Sequence, residues 1–114
     1  MKRQVTQTPA FASKVQRLIA RHQIKREDFD DFKKKIAENP EMGDIIQSTG
    51  GVRKARLKSA SKGTRGGFRV GYYFHDVESG EIFLLVIYSK NMKEDISPGE
   101  KRELKLLVNI IKRK

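Results

Sequence analysis

The sequence predicts an α+β domain in the order βααβββα, an antiparallel sheet with helices packed on one face. Three observations lead there. Two stretches with helical apolar spacing follow the pair Thr8-Pro9. Three extended runs, separated by glycine-rich turns, occupy the middle of the chain, and Ser97-Pro98-Gly99-Glu100 opens a last helical stretch. At 114 residues the length suits a single domain, 1–114.

Val5 begins a short extended stretch that Thr8-Pro9 ends. Thr8 is a good N-cap, and Pro9 suits the first helical position because its missing N–H has no partner there anyway. Phe11, Val15, Leu18 and Ile19 then form one apolar stripe, which breaks around His22 to Lys25. His22, at the end of this helix, reads as a C-terminal cap. A second helix carries Phe29, Phe32 and Ile36, with acids early and Lys33-Lys34-Lys35 late, as the helix dipole favours. Asn39-Pro40 ends it.

Met42 to Ile46 reads as a connector and Thr49-Gly50-Gly51 as a turn. Strands are expected at Val52 to Ser59, at the Phe- and Tyr-rich Phe68 to Asp76, and at Ile82 to Ser89. The glycine-rich loop Ala60 to Gly67 separates the first two and has the composition of a mobile segment. Glu78-Ser79-Gly80 makes a hairpin turn before the third. That third run is apolar throughout, which places it at the centre of the sheet with both faces covered. The terminal helix starts with a capping box and presents Leu104, Leu107, Val108 and Ile111 as its inner stripe.

Lys and Arg total 25 against 14 Asp and Glu, a formal charge of +11 that favours polyanionic partners. The excess is local. From Ile45 to His75 there is no Asp or Glu, yet Arg53, Lys54, Arg56, Lys58, Lys62, Arg65 and Arg69 all fall there. Several enzyme classes drop out. With no cysteine there is no disulfide scaffold, thiolate metal site or Cys nucleophile. His22 and His75 stand far apart, without metal-ligand spacing, so no metal or cofactor is expected. The glycine-rich loop fits no phosphate-binding P-loop pattern, and the basic window has no paired carboxylates. The polar opening predicts no secretory leader, and Ile82 to Tyr88 is too short to span a bilayer, so a cytoplasmic protein with no membrane partner is expected.

In the strand from Val52, alternation places Lys54, Arg56 and Lys58 on one face and Arg53, Ala55 and Leu57 on the other. Arg69 on the next strand reaches the same area if the register permits. Such a row is either a solvated basic face or a surface for a phosphate backbone, and the lack of acids favours the second. It has the residues for RNA cleavage by the 2′-OH: arginines to stabilise added charge on the phosphate and a lysine, crowded by arginines, to move a proton. An aromatic such as Tyr73 or Tyr88 could stack on a base. His75 shares a strand face with Arg69 and Tyr73 and is a further acid–base candidate.

A longer pattern runs through these residues. Asn39-Pro40-x-x-Gly43-Asp44-x-Ile46-x-x-Thr49-Gly50-Gly51-x-Arg53-Lys54-x-Arg56 is followed by Gly66-Gly67-x-Arg69-Val70-x-Tyr72-Tyr73 and Tyr88-x-Lys90-Asn91. With Thr8-Pro9-x-Phe11 and the capped last helix, it resembles the RelE/HigB-type toxins of bacterial type II toxin–antitoxin systems, on the HigB-like side, over nearly the whole chain. The resemblance implies a compact RelE-like, microbial-ribonuclease-like fold. It also implies a ribosome-dependent mRNA endoribonuclease that uses no metal, cuts mRNA in the A site of the small ribosomal subunit and arrests translation.

The implied partners are mRNA, the ribosome and a cognate antitoxin of the HigA-like helix-turn-helix kind. By the same resemblance Lys54, Arg56, Arg69 and Lys90 are the catalytic candidates. Arg53, Lys58, Lys62, Arg65, Tyr73 and Asn91 are candidates for holding nucleic acid. The family's arginine after the last strand corresponds to Asn91, preceded by Lys90, and its tyrosine near the last helix corresponds to Ser97. Two other functions are compatible with the pattern: a ParE-like poison of DNA gyrase, and a nucleic-acid- or ribosome-binding module without catalysis.

Overall fold

The computed structural model describes residues 3–60, 67–76, 80–90 and 96–113. The elements are β1 (Gln4–Gln7), α1 (Pro9–Ala20), α2 (Arg26–Glu38), β2 (Asp44–Ile45), β3 (Arg53–Leu57), β4 (Phe68–His75), β5 (Glu81–Ser89) and α3 (Pro98–Lys112). The tip of the expected hairpin at Glu78-Ser79 and most of the Ala60 to Gly67 loop lie outside the described residues.

The helix boundaries follow their local signals. The Thr8 hydroxyl accepts a hydrogen bond from the Phe11 N–H at 3.3 Å, with Pro9 just inside. At the other end of α1 the chain reverses through His22, whose φ of 59° is left-handed. The N–H groups of His22 and Gln23 return to the carbonyls of Ile19 and Leu18 at 3.0 and 2.9 Å, so His22 is indeed a helix stop. In α3 the capping box is complete: Ser97 Oγ accepts from the Glu100 N–H at 3.2 Å, and a Glu100 carboxylate oxygen accepts from the Ser97 N–H at 3.0 Å.

Among the described residues the sheet has five strands, in the order β1-β5-β4-β3-β2. Three expectations need correction. The sheet is mixed, because β1 pairs parallel to β5, with Val5 beside Ile82. The outer edge of β5 carries unpaired backbone groups, and the first strand of the chain covers them. Consequently β4, not β5, is the middle strand.

The second correction concerns the helices, which lie on both faces. Phe11 and Val15 of α1 and Phe29, Phe32 and Ile36 of α2 pack with Leu57, Val70, Tyr72, Leu84 and Ile87. Leu104, Val108 and Ile111 of α3 pack with Val52, Tyr73, Leu85 and Tyr88 on the opposite side. An uninterrupted apolar strand such as β5 exposes hydrophobic area on both faces, and one helical layer leaves half of it in water. Leu107, expected in the inner stripe of α3, is 38% exposed.

Third, the connector after Pro40 is partly a strand. Asp44 and Ile45 pair antiparallel with Lys54 and Arg53. The turn between them is held by Thr49, fully buried, whose hydroxyl donates to the Ile46 carbonyl at 2.7 Å and accepts from the Val52 N–H at 3.0 Å. Gly50 and Gly51 have φ of 81° and 118°, values that favour glycine. Between β4 and β5 the register slips at Gly71/Tyr72, and Leu85 is the extra residue. Leu85 and the partly buried Val86 therefore both join the α3-side core.

Candidate nucleic-acid interface

Strand alternation places the basic row as expected. Ala55 and Leu57 are buried towards α1 and α2, so Lys54 and Arg56 emerge on the α3 side of the sheet. Arg56 is exposed and Lys54 half-buried. β3 and β4 are in register so that Arg56 stands directly across from Arg69. Like charges facing each other across two strands are destabilising, and a bound anion reverses the sign of that interaction. Arg69 is half-buried, and its guanidinium also donates to the Phe68 carbonyl at 3.4 Å.

Beside this pair opens a cavity of about 280 Å³, lined by Met42, Gly43, Asp44, Lys54, Ala55, Arg56 and Arg69. Its wall is built around one phenol. Tyr72 is fully buried on the far side of the sheet; its hydroxyl donates to the Pro40 carbonyl at 2.7 Å and accepts from the Gly43 N–H at 2.9 Å. Burial pushes this phenol above its usual range. A side chain at Gly43 would stand 2.7 Å from the Lys54 carbonyl and 2.8 Å from the Tyr72 hydroxyl, so only glycine brings the segment this close. Much of the Asn39 to Gly51 pattern thus positions the rim.

Asp44 is the residue that sequence reasoning missed. It pairs with Lys54 across β2 and β3 and puts a carboxylate on the cavity wall. The acid-free window began one residue after it. The signal was the turn: folding the chain symmetrically about Thr49 sets 44 against 54. Among the described residues, ion pairs join Lys33 to Asp30 at 3.4 Å and Arg53 to Glu41 at 3.8 Å, whereas none joins Lys54, Arg56 or Asp44.

No protein-family model matches this chain.

The remaining candidates separate into groups. Arg53 faces the opposite side of the sheet and clamps the connector, donating to the carbonyls of Gly43 at 2.7 Å and Glu41 at 3.2 Å. Tyr73 is 9% exposed inside the α3-side core, where burial raises its phenol, and Tyr88 is 3% exposed. Neither ring presents an open face for stacking. Lys58 and Lys90 are exposed outside the cavity wall; the Lys90 N–H bonds the Gly67 carbonyl at 3.2 Å. Lys62, Arg65 and Asn91 lie outside the described residues. His75 is six residues along β4 from Arg69, roughly 20 Å at strand spacing, and its ring neighbours Tyr73. Ser97 is committed to the capping box.

Among the described residues no group of His, Asp or Glu is arranged to hold a metal ion. No helix among them is long and apolar enough to cross a membrane. The groups that do converge, two guanidiniums and an ammonium on an open wall, can grip a phosphate and neutralise charge added to it.

Proposed function

We propose that this protein is a ribosome-dependent mRNA endoribonuclease of the RelE/HigB type, the toxin of a toxin–antitoxin pair acting in the cytoplasm. The observation that carries the reading is the Arg56–Arg69 pair beside Lys54 on an open wall. In this reading the ribose 2′-oxygen attacks the adjacent phosphorus and the bond to the 5′-oxygen breaks. Arg56 and Arg69 hold the non-bridging oxygens as negative charge builds, and Lys54 moves a proton or stabilises that charge. Lys90, one residue past the end of β5, is the further catalytic candidate of this reading, and a helix-turn-helix antitoxin silences the protein. The chemistry calls for no cofactor.

A second reading, a binding module without cleavage, has its own support. Tyr73 and Tyr88 on the basic side of the sheet are buried, so neither supplies the base stacking that aligns the 2′-oxygen for attack. Brief induction in a bacterium with mapping of mRNA 5′ ends tests both. New ends inside translated frames, absent from Arg56→Ala/Arg69→Ala and lost when initiation is blocked, establish the ribonuclease. RNA binding without new ends establishes the module, and DNA damage with intact mRNA points to gyrase.

A further inference from the structure

Surface helices of small domains are polar on their outer side. α3 keeps to that on one flank only. Its inner stripe is fully used by Leu104, Val108 and Ile111, yet Leu106, Ile110 and Leu107 are 63%, 54% and 38% exposed. Leu106 and Ile110, one turn apart, are neighbours on the helix surface, and Leu107 widens the strip towards the sheet. Single exposed aliphatic residues are ordinary; three together on one face mark an interaction surface.

The border of the strip says what fits it. Arg102, Lys105 and Arg113 are exposed along one flank, and the acid on this face is Glu103. We infer that the outer face of α3 docks an amphipathic helix of another protein whose apolar stripe is edged with acidic side chains. A helix laid along α3 places apolar residues at i, i+3, i+4 and i+7 against Leu106, Leu107 and Ile110, and sets its carboxylates against the cations. A second copy of this chain fits poorly, since pairing two chains of formal charge +11 juxtaposes their basic flanks. A bilayer fits poorly too: Glu103 lies one turn before Leu106 and Leu107, and lipid offers its carboxylate no polar partner, whereas beside a narrow protein helix it stays in water.

The face is ready-made. The capping box fixes the start of α3, and its inner side rests on the β2–β3 turn, where a Cβ on Gly50 would sit 3.5 Å from Val108 and 3.7 Å from Lys105. It is separate from the cavity wall, and the inference does not depend on the ribonuclease reading.

The test uses the full chain, labelled for NMR, and a synthetic amphipathic helical peptide of about 18 residues with a leucine stripe flanked by glutamates, long enough to form a helix when bound. Amide shifts confined to residues 102–113 are expected. Affinity should fall at least about tenfold in Leu106→Ser/Ile110→Ser, and likewise in Arg102→Glu/Lys105→Glu, with unchanged circular dichroism. The charge-reversal pair keeps the test intact if the first pair loses its fold. The proposal is overturned if the shifts fall around Lys54, or if a lysine-flanked version of the peptide binds equally well. Binding of phosphatidylserine vesicles abolished by the same variants overturns it in favour of a membrane, and dimerisation of the chain through α3 overturns it in favour of self-association.

Discussion

Arg56 and Arg69 face each other across β3 and β4, in register, beside an open cavity. Folding for its own sake does not favour that placement. Removing the exposed Arg56 charge relieves repulsion between the strands, and retaining it makes sense where an anion spends time beside it. Arg56→Ala should therefore leave stability unchanged or raise it by about 0.2–1 kcal/mol, measured by urea unfolding, with the gain shrinking in high salt. On the ribonuclease reading the same change should lower cleavage by about 10²–10³. A clear loss of stability would mean that Arg56 is structural and that the site is misplaced.

Tyr72 predicts the opposite balance. Tyr72→Phe removes the donor to the Pro40 carbonyl and the acceptor of the Gly43 N–H, and should cost about 1–3 kcal/mol. Because Gly43 and Asp44 line the cavity, RNA binding should weaken with it. Wild-type stability accompanied by unaltered binding would show that the rim is held by other contacts.

Alkaline pH should act through the same phenol. Desolvation raises the Tyr72 phenol, and that of Tyr73, above the ordinary value near 10. Above that value the unfolded chain loses these protons first, so the folded state binds more of them and stability falls as pH rises. The contribution is complete below about pH 10 and disappears as pH climbs through the folded-state values. In Tyr72→Phe the alkaline slope of the unfolding free energy should be shallower; an identical slope would remove Tyr72 as its source.

Gly71 tests the register slip. A Cβ there would lie 2.6 Å from Val86 Cγ1, so Gly71→Ala should cost about 1–3 kcal/mol through overpacking. Adding Val86→Ala should recover part of that cost. Failure of the second change to compensate would place the strain in the backbone instead.

Leu104 anchors α3 at 5% exposure, and Leu104→Ala should cost about 2–4 kcal/mol by opening a cavity. Leu107→Ala, at a half-exposed position, should cost well under that. Equal losses in chemical denaturation would contradict the orientation of the helix.

Much of this molecule was legible from local chemistry. Thr8-Pro9, His22 and Ser97 to Glu100 act within a turn of where they stand, so the sequence alone sets the ends of α1 and the start of α3. The alternation of Lys54 and Arg56 against Ala55 and Leu57 is likewise a property of any strand. What needed the tertiary structure was every choice between distant partners. Parallel pairing of β1 with β5 depends on which edge is left open, and the place of α3 depends on which face of the sheet is still uncovered. The meetings of Asp44 with Lys54 and of Arg56 with Arg69 depend on strand register, and the burial of Tyr73 depends on a helix more than twenty residues away in sequence. Pattern within a few residues defines an element and its faces; the free energy of burying those faces, summed over the whole chain, decides which of them meet.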